Sequence, residues 1–167
     1  MNRALRALIA MVALAATALA ADPKASAKKP LQAFQVQNSV GVSVNSTDLA
    51  LTGNWLLIYV TANSRPSELM LSQMKPATYA PFADHIVIIV GGVSGPGLAD
   101  WATKYEAVAG AHWYADPQRD AFKKINLHGA PVEIGLKDGS VEWTLSGMTT
   151  DSASFQSTLL DWVKANQ

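Results

Sequence analysis

Apolar residues run almost without interruption through Trp55, Leu56, Leu57, Ile58, Tyr59 and Val60, and again through Ile86, Val87, Ile88, Ile89 and Val90. Runs of this length predict buried strands over 55–61 and 85–90. Between them the period lengthens, and Pro66 at a first helical turn opens a predicted helix over 66–74. Upstream, Phe34, Val36, Val40, Val42 and Val44 alternate, which predicts one or two short edge strands with a break near Asn38 and Ser39. Downstream, Trp101, Tyr105 and Val108 fall at helical spacing and predict a buried stripe on a helix over 98–108. A short strand is expected at 112–114, then a helix over 117–125 with Pro117 in its first turn. Strands at 132–136 and 141–145 are joined by Asp138-Gly139, a strong hairpin signal. A last helix is expected to start near Asp151 as its cap, with Phe155, Leu159, Trp162 and Val163 on one face. Strands alternating with helices, then a hairpin and a closing helix, predict an α/β fold: a mixed central sheet flanked by helices.

The first twenty residues follow a different pattern. Arg3 and Arg6 precede an alanine-rich apolar stretch over 7–19, and Ala18-Leu19-Ala20 has the small residues of a cleavage site. The stretch is shorter than the roughly 20 residues that cross a bilayer. It predicts a cleaved export signal over 1–20 and a periplasmic or secreted protein. Residues 21–43 are then expected to be a flexible N-terminal segment and edge strand, with Lys24, Lys28 and Lys29 in a solvated tail, and 44–167 the folded domain. The chain has 167 residues, 49% of them hydrophobic, which suits one domain. Loss of Arg3 and Arg6 from 13 basic residues leaves 11 against 13 acidic ones, a formal charge of −2. That balance points to neither nucleic acid nor an anionic membrane surface.

The most telling short segment is the turn Ser64-Arg65-Pro66-Ser67, between a predicted strand and a predicted helix. Some sixty residues later His128-Gly129-Ala130-Pro131-Val132-Glu133-Ile134-Gly135-Leu136 leads into another strand. Asp116-Pro117-Gln118-Arg119-Asp120 precedes it, and the Lys137-Asp138-Gly139-Ser140 turn and Gly147 follow. Taken together, over residues 44 to 164, this order resembles the thioredoxin-like fold. It is most similar to secreted thiol-disulfide oxidoreductases of the cytochrome-maturation, TlpA-like type. That family presents a Cys-x-Pro-Cys pair where this chain has Ser64 and Ser67, and a cis-proline where it has Pro131.

The chain contains no cysteine. Thiol-disulfide exchange needs a thiolate and a second sulfur, and neither serine can supply one. Thiol oxidoreductase and peroxidase activities are therefore excluded, as is a lipid anchor on cysteine. The resemblance still implies a cis Ala130–Pro131 peptide, and a backbone before it able to pair with an extended substrate peptide. The candidate binding residues are accordingly Ser64, Arg65, Pro66, Ser67, Gly129, Ala130 and Pro131.

Each feature also has a plainer reading. Ser64 is either a helix cap, or part of an anion site with Arg65 and the helix N-terminus, or a nucleophile that would need a neighbouring base. The Pro131 loop either receives a peptide or only shapes a strand entrance. His128 adjoins that loop, whereas His85 and His112 begin strands. Glu133 is expected at an edge or facing the pocket. Gly91-Gly92-Val93-Ser94-Gly95 lacks the lysine of a phosphate-binding loop. No spacing of histidines or acids predicts a metal site, and no cofactor is expected. Three functions follow: a non-enzymatic, exported binder of a protein or peptide partner, serving as an envelope assembly or accessory factor; a structural subunit of an envelope complex; or a non-redox enzyme using Ser64 and Arg65 as an anion site. The first is the leading expectation.

Overall fold

The computed structural model of the chain describes residues 29–49, 51–147 and 152–165, so the expected export signal and the Asp151 cap lie outside the described residues. Eight strands form one mixed sheet: β1 (Lys29–Pro30), β2 (Gln35–Gln37), β3 (Ser43–Asn45), β4 (Asn54–Thr61), β5 (Ile86–Gly91), β6 (His112–Asp116), β7 (Val132–Lys137) and β8 (Ser140–Ser146). Their order across the sheet is β1-β8-β7-β4-β5-β6-β2-β3. Strands β4, β5 and β6 run parallel, and every other pairing is antiparallel. The two apolar runs thus become the adjacent central strands β4 and β5, covered on both faces.

Alternation along β4 sends its side chains to two separate cores. Leu56, Ile58 and Val60 pack with helices α1 (Arg65–Gln73), α2 (Pro76–Tyr79), α3 (Leu98–Lys104) and α5 (Ser152–Lys164) through Leu71, Tyr79, Leu98 and Leu159. Leu57 and Tyr59 point the other way, to Phe34, Val36 and Leu127, and to Ala121 on α4 (Asp120–Ile125). Full burial of aliphatic side chains such as Leu57, Ile58 and Ile88 stabilises the fold by about 1.5–3 kcal/mol each.

The hairpin forms as its sequence predicts, with Asp138 at φ 49° and Gly139 at φ 72°. Both central residues of a type I′ turn need positive φ, which glycine adopts freely and aspartate tolerates. Asp138 also ties the turn to the start of β4, accepting from the Gly53 N–H at 2.8 Å through its carboxylate.

Three expectations need correction. Lys29 and Pro30, assigned to the tail, pair with Val141 and Ser140 and extend the sheet edge. The helix expected over 98–108 stops at Lys104, because Tyr105 leaves helical geometry at φ −118°, ψ 73°. A separate 3-10 turn, Glu106–Val108, follows. This break lets Ala107 and Val108 enter the core together with Tyr105, which one straight helical face would not allow. Pro117 does not start a helix either. Residues 117–119 make a turn with Arg119 in the left-handed region at φ 55°, and α4 begins at Asp120.

Candidate functional site

Parallel strands place their C-terminal ends together, and here β4, β5 and β6 end side by side at Thr61, Gly91 and Asp116. Strand β7 runs antiparallel to β4 with Val132 opposite Tyr59. The start of β7, and with it Gly129, Ala130 and Pro131, therefore lies at the same end of the sheet as the turn from β4 into α1. All seven residues singled out from the sequence come from these two neighbouring segments.

Ser64 occupies the cap position of α1 in extended geometry, φ −109° and ψ 108°, yet its side chain makes no capping hydrogen bond. Its carbonyl accepts from the Glu68 N–H at 3.0 Å. The hydroxyl expected to cap is left to other partners. Pro66 sits in the first turn, where its missing N–H costs nothing. Arg65 and Pro66 are exposed, and Ser64 is half-buried. Arg65 pairs with no carboxylate among the described residues.

Ser67 behaves differently from its neighbours. It is fully buried, and its Oγ accepts a hydrogen bond from the Thr61 N–H at 3.1 Å, closing the end of β4 onto the first turn of α1. It offers no surface to a ligand, so the accessible part of the turn is Ser64, Arg65 and Pro66. No histidine or carboxylate hydrogen-bonds Ser64 among the described residues, and the base that a nucleophile requires is not in place there.

Across from the turn, the Ala130–Pro131 peptide is cis. Pro131 is buried and its carbonyl accepts from the Gly147 N–H at 3.0 Å. His128 and Gly129 are exposed and Ala130 is half-buried. Among the described residues, no hydrogen bond engages the backbone N–H or C=O of Gly129 or Ala130.

Behind this end of the sheet stands Asp116, a residue the sequence reading used only as part of a motif. It is fully buried and accepts from Tyr59 Oη at 3.0 Å, from the Asp120 N–H at 2.7 Å and from the Phe122 N–H at 3.2 Å. Burial raises its pKa, against the pull of those donors. With these bonds its carboxylate caps α4 from four residues away. The signal available in the sequence was an acid ending a strand just before a proline.

Of the two positions expected for Glu133, the edge is not the one it takes: it lies within the interior strand β7, opposite Ile58 and Leu145. Burial alone pushes its carboxyl up to about 7. Its charge also helps burial to hold the Tyr79 phenol well above the ordinary tyrosine range. His85 and His112 sit at the opposite end of the sheet, with ring centroids 5.1 and 5.6 Å from Trp55. They are remote from the Ser64 turn. No group of three or more histidines or acids able to hold a metal occurs among the described residues.

Two depressions open near the turn and behind it. The larger, about 540 Å³, lies between β2 and the β6–α4 connection and is lined by Gln35, Gln37, Asn45, Asp116 and Asp120 among others. The smaller, about 240 Å³, lies between α1 and α3 and reaches the turn through Arg65.

This architecture is a thioredoxin-like fold, in a chain that contains no cysteine. Among solved structures it is similar to a secreted disulfide oxidoreductase of Mycobacterium tuberculosis homologous to E. coli DsbE, with TM-score 0.59, 15% identity, and 81% of this chain and 96% of that one covered. A thiol:disulfide interchange protein of the thioredoxin family from Chlorobium tepidum gives TM-score 0.59 at 13% identity, covering 83% and 95%. A thioredoxin-like protein of Porphyromonas gingivalis gives 0.58 at 17% identity, covering 80% and 92%. No protein-family model matches the chain, and no curated protein matches it by sequence.

Proposed function

We propose that this chain is an exported, redox-inactive thioredoxin-like protein that holds an extended segment of a protein partner in the groove between the Ser64 turn and the Pro131 loop, as an assembly or accessory factor of the cell envelope. The observation that carries this reading is the pair of unengaged backbone residues, Gly129 and Ala130, beside an exposed Arg65 at one end of the sheet. Free backbone donors and acceptors next to a strand start are what an added peptide strand uses, and they need no sulfur. Export rests on the pattern of residues 1–20, and is in keeping with a neighbour described as secreted. The cell envelope is oxidising, and a cysteine-free binder there cannot be trapped in mixed disulfides with its clients.

The test is capture of envelope proteins by the wild type, compared with an Arg65→Glu/Pro131→Ala variant shown to be folded by circular dichroism. A partner held by the wild type and lost by the variant supports the groove. A partner held equally by both places the function on another face.

A further inference from the structure

We propose that the recess between α1 and α3 receives an acidic side chain of the bound peptide, held by Arg65, Lys104 and the Tyr105 hydroxyl. This inference rests on the reading of the Pro131 groove as a peptide site and names the chemistry of what that site selects. Arg65 belongs to both places: it lies in the turn that borders the groove, and it lines the recess of about 240 Å³ together with Glu68, Leu69, Ser72, Lys104 and Tyr105. The inference therefore places the acid of the bound peptide at Arg65, the residue common to the turn and the recess.

Two observations point to a ligand there. The first is charge: Arg65 has no carboxylate partner among the described residues, while Lys104 shares Glu68 at 3.2 Å, so two cations face one anion. The second is independent of the helix terminus. Tyr105 is 5% exposed, and its Oη is buried without a hydrogen-bond partner. A buried hydroxyl left unpaired costs free energy unless something completes it. Its neighbour is the Lys104 ammonium, which lies 5.3 Å from the Tyr105 ring centroid.

A carboxylate entering the recess finds a donor of each kind: the guanidinium, the ammonium and the phenolic O–H. Lys104 is flexible and about half exposed, so it can turn from Glu68 toward the newcomer and uncover the hydroxyl beneath it. Hydrogen bonds between charged partners are stronger than neutral ones, and a recess with a buried back wall screens them less than open surface does. An amide of the same shape would gain little from either cation.

The probe is a library of random dodecapeptides displayed on phage and panned against the protein. The inference expects Asp or Glu to be enriched at one position. A synthetic copy of a selected peptide should lose about tenfold in affinity when that acid becomes its amide. Lys104→Met should cause a similar loss for the acidic peptide and none for the amide version. Tyr105→Phe separates a ligand role from a structural one: it should weaken the acidic peptide while leaving the unfolding midpoint unchanged or higher, since it deletes an unpaired hydroxyl. Peptides that lack an acid, or whose acid is indifferent to Lys104→Met, yet are lost by Pro131→Ala, would overturn this inference and leave the groove standing. Failure to select any peptide sensitive to Pro131→Ala would remove the groove reading itself, and this inference with it.

Discussion

At the scale of single residues, the two serines of the turn have unequal roles. Ser64 is half-buried and leaves the helix uncapped, whereas Ser67 is buried and bonded to the Thr61 N–H. Ser67→Ala should therefore destabilise the fold by about 1 kcal/mol or more, the cost of leaving the partly buried Thr61 amide unpaired. Ser64→Ala should change stability by less than about 0.5 kcal/mol, because no capping bond is lost. Urea unfolding of both variants checks the contrast. Glu133 carries a second residue-scale consequence. Its folded pKa, about 7, stands above the ordinary 4.5 because burial disfavours the charged form. The folded chain then holds this proton more tightly than the unfolded one. Stability from this group is complete below about pH 4.5 and falls as pH rises toward 7, by about 3 kcal/mol in all. Glu133→Gln should flatten that decline, as seen by comparing unfolding midpoints at pH 5 and pH 8.

At the scale of elements, hydrophobic period was enough to reveal β4, β5, the β7–β8 hairpin and, on the last helix, the core positions Leu159, Trp162 and Val163. Each of these repeats a simple pattern over several residues, or carries a turn dipeptide whose backbone demands are specific. What stayed hidden depends on contacts between distant residues. The arrest of α3 at Tyr105 follows from how Ala107 and Val108 meet the core. The late start of α4 follows from Asp116, whose carboxylate reaches past the turn at 117–119 to the N–H groups of Asp120 and Phe122. Proline at 117 suited a first helical turn equally well, so local preference alone chose the wrong boundary. Asp116→Ala should show how much this element depends on one side chain. It strands the Tyr59 hydroxyl and two amides, so a loss of about 3 kcal/mol or more is expected in urea unfolding. Amide exchange should rise first in α4, before the central strands respond.

At the scale of the whole molecule, the order of elements over 44–164 carried the fold and the approximate place of the candidate site, because Ser64-Arg65-Pro66-Ser67 and Pro131 are brought to one end of the sheet by topology. The burial of Ser67 and the recess beside Arg65 were not legible, since they arise where α1 packs on α3 and β4. That packing also makes the absence of cysteine testable in a constructive way. If the fold retains the geometry of a redox turn, Ser64→Cys/Ser67→Cys should oxidise readily to an intramolecular disulfide, seen as a mass lower by two hydrogens and reversed by dithiothreitol. The two thiols should then differ as the serines do. The one at position 64, half-exposed at the positive end of α1, should have a depressed pKa and react first with iodoacetamide, while the one at position 67, behind the turn, should be protected. A folded double variant that stays reduced in air, or one in which position 67 is alkylated first, would show that this turn has the sequence order of a thioredoxin-like pair without its geometry. Oxidation with the expected order of reactivity would mean that the turn keeps the geometry of a redox pair and that the two missing thiols are what separates it from disulfide chemistry.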